Sequence, residues 1–270
     1  MTISINTNFA AMLAQRGLNN STKALGTSMQ RLSTGLKINS AQDDSAGLAV
    51  ANRLMTQVRG LSVAKRNTSE GMALADLASA ALTETTNAIQ NIRDLAVEAS
   101  SSTRSDADRD ALQLNVDELL AEITRIATDT KYNNVALLDG TYAAKPFQIG
   151  ANKGETINVT IGDATLPTLF NLKINTQVLA SDAIATLDTA IESVNSIQSQ
   201  LSGSQSRFNS ITNVATATSD AYTAARSSIM DADIAQETTN MTRYSIIQQA
   251  GIAVLAQANQ QPQALIKLLG

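Results

Sequence analysis

The stretch from about Ser45 to Ala99 constrains this chain more than any other, because it contains no proline and only three glycines. Apolar residues recur through it at spacings of three and four, which is typical of a helix with one buried face. At 1.5 Å per residue such a helix would be roughly 80 Å long. A compact globule does not need a helix of that length. The stretch therefore predicts an elongated bundle in which other helices run alongside it.

Further segments predict the helices that complete this bundle. Residues 3–33 have an amphipathic pattern, and a heptad stripe over residues 112–126 predicts a shorter helix that folds back on the long one. The helical period returns over residues 181–226. A short acidic break at residues 231–233 then precedes a final helix. The order of elements is nearly symmetrical about the middle of the chain.

One small region predicts strands instead. Residues 147–149 and 157–161 flank the turn-forming segment Gly150–Glu155, which is typical of a β-hairpin. Pro146 and Pro167 bracket the pair, which favours a small edge feature over a large sheet. The predicted fold class is therefore mainly α: an elongated antiparallel helical bundle or coiled coil, with paired N- and C-terminal helices and a small β-hairpin region.

Both ends of the chain are free of charge. Met1–Gln15 and Tyr244–Ile266 contain no charged side chain. Glutamine and asparagine interrupt the apolar pattern of the second stretch, so it is too polar to span a bilayer. Helices this uncharged are poorly solvated alone, and we expect them to pair and then to pack against other copies. The residues predicted to make these self-assembly contacts are Ile5, Phe9, Met12, Leu13, Ile247, Val254, Leu255, Leu265 and Leu269.

Charge is otherwise concentrated in the middle of the chain. The net charge is −4, which argues against nucleic acid as the main partner. Residues 1–42 and 238–270 contain basic residues and no acidic ones, so all 24 acidic residues lie between them. Mildly basic ends and an acidic body would suit head-to-tail packing of copies, and would equally suit a solvated surface.

Reactive chemistry is absent from the sequence. The chain has no cysteine and no histidine, which excludes disulfides, thiolate or imidazole metal ligands, and conventional catalytic triads. Asp43 and Asp44 suit the positively charged start of the long helix better than acid–base work. Asp231 and Asp233 resemble half of a hard-cation site, and nothing nearby completes it. We expect no catalytic site, no metal and no cofactor.

Two long motifs carry a family resemblance. The segment Arg31–Arg53, with the sequence RLSTGLKINSAQDDSAGLAVANR, resembles the N-terminal signature of bacterial flagellins, and Ile5–Asn8 matches upstream. Several segments near the other end resemble the C-terminal signature of the same family. They are Met230–Ala235, Gln248–Gly251, Leu255–Gln260 and Leu268–Gly270. The resemblance covers essentially the whole chain, and the hairpin segment matches more loosely.

The resemblance implies a subunit that polymerises into the extracellular flagellar filament used for motility. It implies that residues 1–42 and 228–270 form an inner coiled-coil domain, and that residues 43–227 form an outer-tube bundle without the family's variable outer domains. No cleavable signal peptide opens the chain, and the family implies export through the flagellar channel. An export chaperone on the C-terminal segment, filament cap proteins and hook-junction proteins are the implied partners.

The family resemblance also implies recognition by the flagellin-sensing Toll-like receptor. The corresponding signature falls around Gln90–Val97, where Arg93 and Leu95 match the family. Asn91 stands where an arginine is typical, and Asn115 where an acid is typical in strongly recognised members. Charge-assisted contacts are lost at both positions, which predicts weakened recognition.

Two other functions fit parts of the sequence. A hook–filament junction protein of the same superfamily would share the helical termini and would act as a short adaptor. A secreted membrane-active helical protein would insert its uncharged ends into bilayers. The density of glutamine and asparagine and the weak basic charge argue against membrane insertion.

Overall fold

The computed structural model describes the backbone of residues 7–269 and the side chains of residues 7–260. The predicted side-chain contacts of Ile5, Leu265 and Leu269 therefore lie outside the described residues. The chain is 74% helical, which confirms the mainly α prediction. The helices are α1 (Phe9–Thr34), α2 (Ser45–Ala99), α3 (Asp106–Asp129), α4 (Gln177–Met230) and α5 (Ile234–Leu269). The strands are β1 (Lys131–Tyr132), β2 (Val135–Ala136), β3 (Lys145–Gln148) and β4 (Thr156–Val159), and a 3₁₀ turn covers Pro167–Leu169.

The helix ends follow from local side-chain chemistry. Asp44 Oδ1 accepts a hydrogen bond from the backbone N–H of Gly47 at 2.8 Å, so this acid caps α2. Gly35 ends α1 in the left-handed conformation, with φ at 71°. Ser105 and Asp108 form a capping box at the start of α3. The capping role expected for the Asp43–Asp44 pair therefore belongs to Asp44.

The described residues form two compact units. One consists of the residues up to Thr56 together with those from Ala221 onward, and the other of Gln57–Asp220. Within the second unit α2 and α4 are antiparallel, because the residue numbers of the hydrogen-bonded partners increase along α4 as they decrease along α2. The three cross-links are Arg93–Asp188, Thr83–Gln198 and Asp76–Gln205.

The core of the 57–220 unit contains large side chains from every element that surrounds it. Leu82, Ile89 and Ile92 of α2 are fully buried, as are Ile123 of α3 and Phe208 of α4. The hairpin β3–β4 closes one side of this core through Ile157 and Val159. Burying each of these side chains stabilises the unit by about 1.5–3 kcal/mol relative to exposure.

The strand predictions need two corrections. The β3–β4 hairpin is present, but Pro146 lies inside β3 opposite Asn158 instead of flanking the strand. A second two-residue ladder joins β1 to β2, in a region where no strand was expected. Its turn places Asn133 and Asn134 at φ values of 49° and 63°, which short polar side chains tolerate. The two neighbouring asparagines were the available signal.

Candidate assembly surface on the paired terminal helices

Helices α1 and α5 pair along their length, as the sequence predicted. They are antiparallel, because the residue numbers of the contacting partners decrease along α5 as they increase along α1. Three side-chain contacts cross between them: Asn8 Nδ2 to the Ala258 carbonyl at 2.8 Å, Gln248 Nε2 to Thr22 Oγ1 at 3.1 Å, and Arg31 Nη1 to Glu237 Oε1 at 3.1 Å. Asn8 has a second role, since its Oδ1 accepts from the Ala11 N–H and caps α1. The same residue therefore starts one helix and fixes it to the other.

The non-helical segments after α1 and before α5 join the C-terminal end of α1 to the N-terminal end of α5. The Lys37 N–H donates to the Met230 carbonyl at 2.6 Å, and the Ala232 N–H donates to the Gly35 carbonyl at 2.9 Å. Ile38, Ala51 and Met230 are buried beside them in a small apolar cluster. Asp233 caps α5 by accepting from the Ala235 and Gln236 N–H groups. Asp233, one of the two acids considered as half of a cation site, is thus a helix cap.

The inward faces of both helices follow alternating spacings of three and four. These positions, which we call the seam, are all buried or half-buried. On α1 they are Ala11, Ala14, Leu18, Ser21, Leu25, Ser28 and Leu32. On α5 they are Glu237, Met241, Tyr244, Gln248, Gly251, Leu255 and Ala258. The spacing is that of a coiled coil, but small and polar side chains occupy most of the positions.

Several bulky apolar side chains of the terminal helices lie outside the seam. Phe9 is 74% exposed, Leu13 61% and Met12 47%. On α5, Val254 is 55% exposed and Ile247 45%. We call these five residues the outer face. Of the described residues predicted to make self-assembly contacts, Leu255 is the exception, because it is half-buried in the seam. One predicted set of contact residues thus divides between two surfaces.

Four more exposed apolar residues on the terminal helices were missing from that prediction: Met29, Ile234, Ile246 and Ile252. Ile246 and Ile252 lie in the uncharged stretch of α5, where their lack of charged neighbours was the available signal. Ile246 and Ile247 line a shallow groove of about 490 Å³ with Thr238, Thr239, Thr242 and Arg243. This part of α5 therefore presents a concave surface of apolar and hydroxyl groups.

The ion pair between Arg31 and Glu237 is the most buried charge in the seam. The Glu237 side chain is 9% exposed and that of Arg31 28%. Burial favours a higher pKa for Glu237, but hydrogen bonds from Ser28 and Arg31 outweigh it, and the pKa of this carboxyl lies below its usual range. Arg31 Nε and Glu237 Oε2 are buried without a hydrogen-bond partner. The pair is held charged, but only partly satisfied.

The two residues predicted to contact an innate receptor lie in the 57–220 unit. Arg93 Nε donates to Asp188 Oδ1 at 2.7 Å, and this contact raises the pKa of the guanidinium. Leu95 is half-buried and packs against the core. Arg93 is therefore engaged within the chain, and Leu95 offers only part of its side chain.

No helix among the described residues is long and apolar enough to cross a membrane. The surface that the terminal helices present is a mixture of isolated apolar groups and uncharged amides. Such a surface suits close packing against another protein surface of the same character, because both apolar contacts and amide hydrogen bonds can then be made.

The chain matches two family models, those for the bacterial flagellin N-terminal helical region over residues 5–143 and the bacterial flagellin C-terminal helical region over residues 184–269. A flagellin of Xenorhabdus nematophila is 38% identical over 98% of both chains. Flagellin B of Vibrio cholerae is 31% identical over the full length of both chains. That alignment spans 376 positions against 270 residues here, so the Vibrio protein contains internal residues that this chain lacks.

A solved structure agrees with these relatives. The crystal structure of Bacillus cereus flagellin is 28% identical and superposes with a TM-score of 0.51 over 55% of this chain and 88% of that chain. The long motifs, the paired terminal helices and the family matches point to one conclusion. The chain belongs to the bacterial flagellin family.

Proposed function

We propose that the outer face of the terminal helices is the surface through which this flagellar filament subunit polymerises. The supporting observation is that several bulky apolar side chains of α1 and α5 lie outside their own seam, with Phe9 and Leu13 more than 60% exposed. Burying apolar surface yields about 25 cal/mol per Å². Neighbouring copies supply the surface that covers these residues. Residues 1–42 and 228–270 form the inner coiled-coil domain, and residues 43–227 form the outer-tube domain.

The mechanism is structural and involves no catalysis. Assembly orders the terminal helices more tightly, and the interface area supplied by neighbours offsets the entropy lost. The seam aligns α1 with α5, so that apolar groups from both helices are presented together.

The test is a pair of matched substitutions. Met12→Gln/Leu13→Gln changes the outer face. The control, Leu114→Gln, changes an apolar residue of α3 that is likewise exposed, at 69%. The expected result is that the outer-face variant keeps the helix content and melting of the wild type but no longer forms filaments, whereas Leu114→Gln still does. Electron microscopy and sedimentation of concentrated protein measure the outcome. Filaments of normal diameter from Met12→Gln/Leu13→Gln would contradict the proposal.

Further partners are proposed from the same family membership. An export chaperone covers the uncharged C-terminal segment before export through the flagellar channel, because that segment otherwise exposes apolar groups. Filament cap and hook-junction proteins contact the subunit at the two ends of the polymer. Recognition by the flagellin-sensing Toll-like receptor is weakened, since Asn91 and Asn115 lack charge and Arg93 is paired with Asp188. Binding of purified receptor ectodomain, compared between the wild type and Asn91→Arg, measures this last contact.

A further inference from the structure

Charge changes sign along α2. From Ser45 to Ser69 the helix contains four basic residues and no acid, whereas from Glu70 to Ala99 it contains five acids and only one base. Neither the core nor the outer face of the terminal helices accounts for this distribution. A long helix with one basic and one acidic half presents opposite potentials at two places on a single molecule.

The basic half ends in a cluster within the 57–220 unit, formed by Arg59, Lys65 and Arg66. Arg59 and Arg66 are separated by seven residues, which is two helical turns, so both project from one face and both are exposed. Lys65 and Arg66 border an open depression of about 480 Å³ that also includes Thr212 of α4. Among the described residues no acid forms an ion pair with any of the three bases. Glu70 also lines this depression, so the cluster retains an excess of positive charge with one acid beside it.

The acidic half contributes to a groove between α2 and α3 of about 400 Å³. Glu84 of α2 and Glu122 and Asp129 of α3 line it, together with Arg125. Arg125 lies 2.6 Å from Glu122 and 3.9 Å from Asp129, so the groove has three carboxylates and one guanidinium, which pairs with two of them. No base pairs with Glu84 in the part of the chain that the structure describes. We call this the acidic groove.

The two surfaces open toward different neighbours of α2. The depression beside the basic cluster includes Thr212 of α4, whereas the acidic groove is walled by α3. Lys65 and Glu84 are separated by nineteen residues of one continuous helix, which is about 29 Å. The basic cluster therefore cannot reach the acidic groove of its own chain.

We propose that the basic cluster of one subunit docks against the acidic groove of a second copy. The contact rests on the proposed function, and it names a surface outside the terminal helices that helps to build the same polymer. Two different patches on one subunit make a heterologous contact, which generates an open filament when the rotation between copies does not close into a ring. Placing the patches on different flanks of α2 lets copies lie side by side with a stagger of about 29 Å.

Electrostatic complementarity gives this contact its register. A cluster with excess bases opposite a groove with excess acids favours one stagger, and any slip along α2 places like charges together, which costs energy. The apolar outer face has no such directionality, because apolar contacts are tolerant of small shifts. The charged contact therefore specifies how subunits align while the terminal helices supply apolar burial.

The experiment is a charge-reversal cycle on the full chain. Arg66→Glu and Glu84→Lys are made singly and together, and Arg207→Glu is the control, since Arg207 is an exposed base of α4 outside the cluster. Each single reversal raises the critical concentration for filament growth about tenfold, because like charges then face each other. The combined variant restores opposite signs in every copy and returns to within about twofold of the wild type. Arg207→Glu stays within about twofold of the wild type as well.

The readout is the protein left unassembled after seeded growth and sedimentation, with melting curves to show that each variant is folded. In roughly 0.5 M NaCl the differences between variants shrink, because screening weakens charge pairs. Unchanged critical concentrations in both single variants, or no recovery in the combined variant, would overturn the proposal. Loss of heparin binding in Arg66→Glu without a change in assembly would assign the cluster to a polyanion and also overturn it. Failure of the wild type to form filaments would instead contradict the proposed function.

Discussion

The core of residues 57–220 and the seam of the terminal helices are both helix–helix interfaces, but they are built from different residues. The first buries large side chains such as Leu82, Ile92 and Phe208 completely. In the second, the buried positions include Ser21, Ser28 and Glu237, the leucines are only half-buried, and several large apolar groups face outward. A bundle that buries its own apolar side chains is complete as a monomer. On the proposed function, a helix pair that leaves several of them outside is complete only when other copies cover them.

The largest effect that separates the two regions comes from truncating one leucine in each. Leu82→Ala removes a fully buried side chain and should lower the free energy of unfolding by about 3–4 kcal/mol, because a cavity remains. Leu13→Ala removes one that is 61% exposed and should change it by less than about 0.5 kcal/mol. Urea unfolding of both monomeric variants measures the difference. Equal losses would show that the terminal helices have an ordinary core of their own.

The next effect concerns Arg109, a buried guanidinium whose three nitrogens all donate hydrogen bonds, unlike the partly satisfied Arg31–Glu237 pair at the seam. The guanidinium of Arg109 donates to the carbonyls of Ala99 and Ser101 and to Asp106, and so closes the turn between α2 and α3. Arg109→Ala removes the donors to both carbonyls, of which Ser101 keeps only a 3.3 Å bond from the Arg104 N–H, and should cost about 2–3 kcal/mol of stability. Arg104→Ala, which removes an exposed pair with Glu98, should cost at most about 1 kcal/mol. Thermal melts that rank these variants in the opposite order would contradict this assignment.

Acid should weaken the seam through Glu237. Its pKa in the folded chain lies below the unfolded value, so its contribution is present above the unfolded pKa and is lost as the pH falls through the folded pKa. The protection factors of α1 amides, which allow for the slower intrinsic exchange in acid, should therefore fall as the pH drops below about 5. Asp43, whose pKa is lowered by backbone N–H groups of Asn39 and Ser40, also titrates nearby. Glu237→Gln separates the two, and an unchanged pH profile in that variant would contradict the role of Glu237.

The smallest effect is a gain in stability. Gly251 lies in the seam, and a Cβ added there would lie 3.5 Å from Leu18 Cδ1, which is ordinary van der Waals contact. Gly251→Ala should therefore stabilise the helix pair by about 0.5–1 kcal/mol through higher helix propensity. Slower hydrogen exchange in α5 measures it. A destabilised pair would mean that the seam is packed more tightly than its small residues indicate.

Much of the fold followed from periodicity in the sequence. The long helix, for example, begins and ends where the absence of proline and the apolar spacing placed it, at Ser45 and Ala99. The β1–β2 ladder did not follow, because two residues per strand are too few to establish a period of two.

The division of the terminal apolar residues into seam and outer face was also beyond the sequence. Phe9 and Leu255 both fit an apolar stripe, and which side faces the partner depends on register. That register is fixed by long-range contacts such as Asn8 to Ala258 and Arg31 to Glu237. Uncharged ends indicated that a partner was needed, but only the antiparallel alignment of the two helices separates the partner within the chain from the partner in the polymer.

The most direct test of this division is hydroxyl-radical footprinting of two methionines in the same sample. Met12 is on the outer face and Met241 is in the seam. The expected result is that oxidation of Met12 falls sharply when the monomer becomes filament, because neighbouring copies cover it, whereas oxidation of Met241 stays nearly constant. Equal protection of both methionines, or continued oxidation of Met12 in the filament, would contradict the claim that the outer face is the polymer interface.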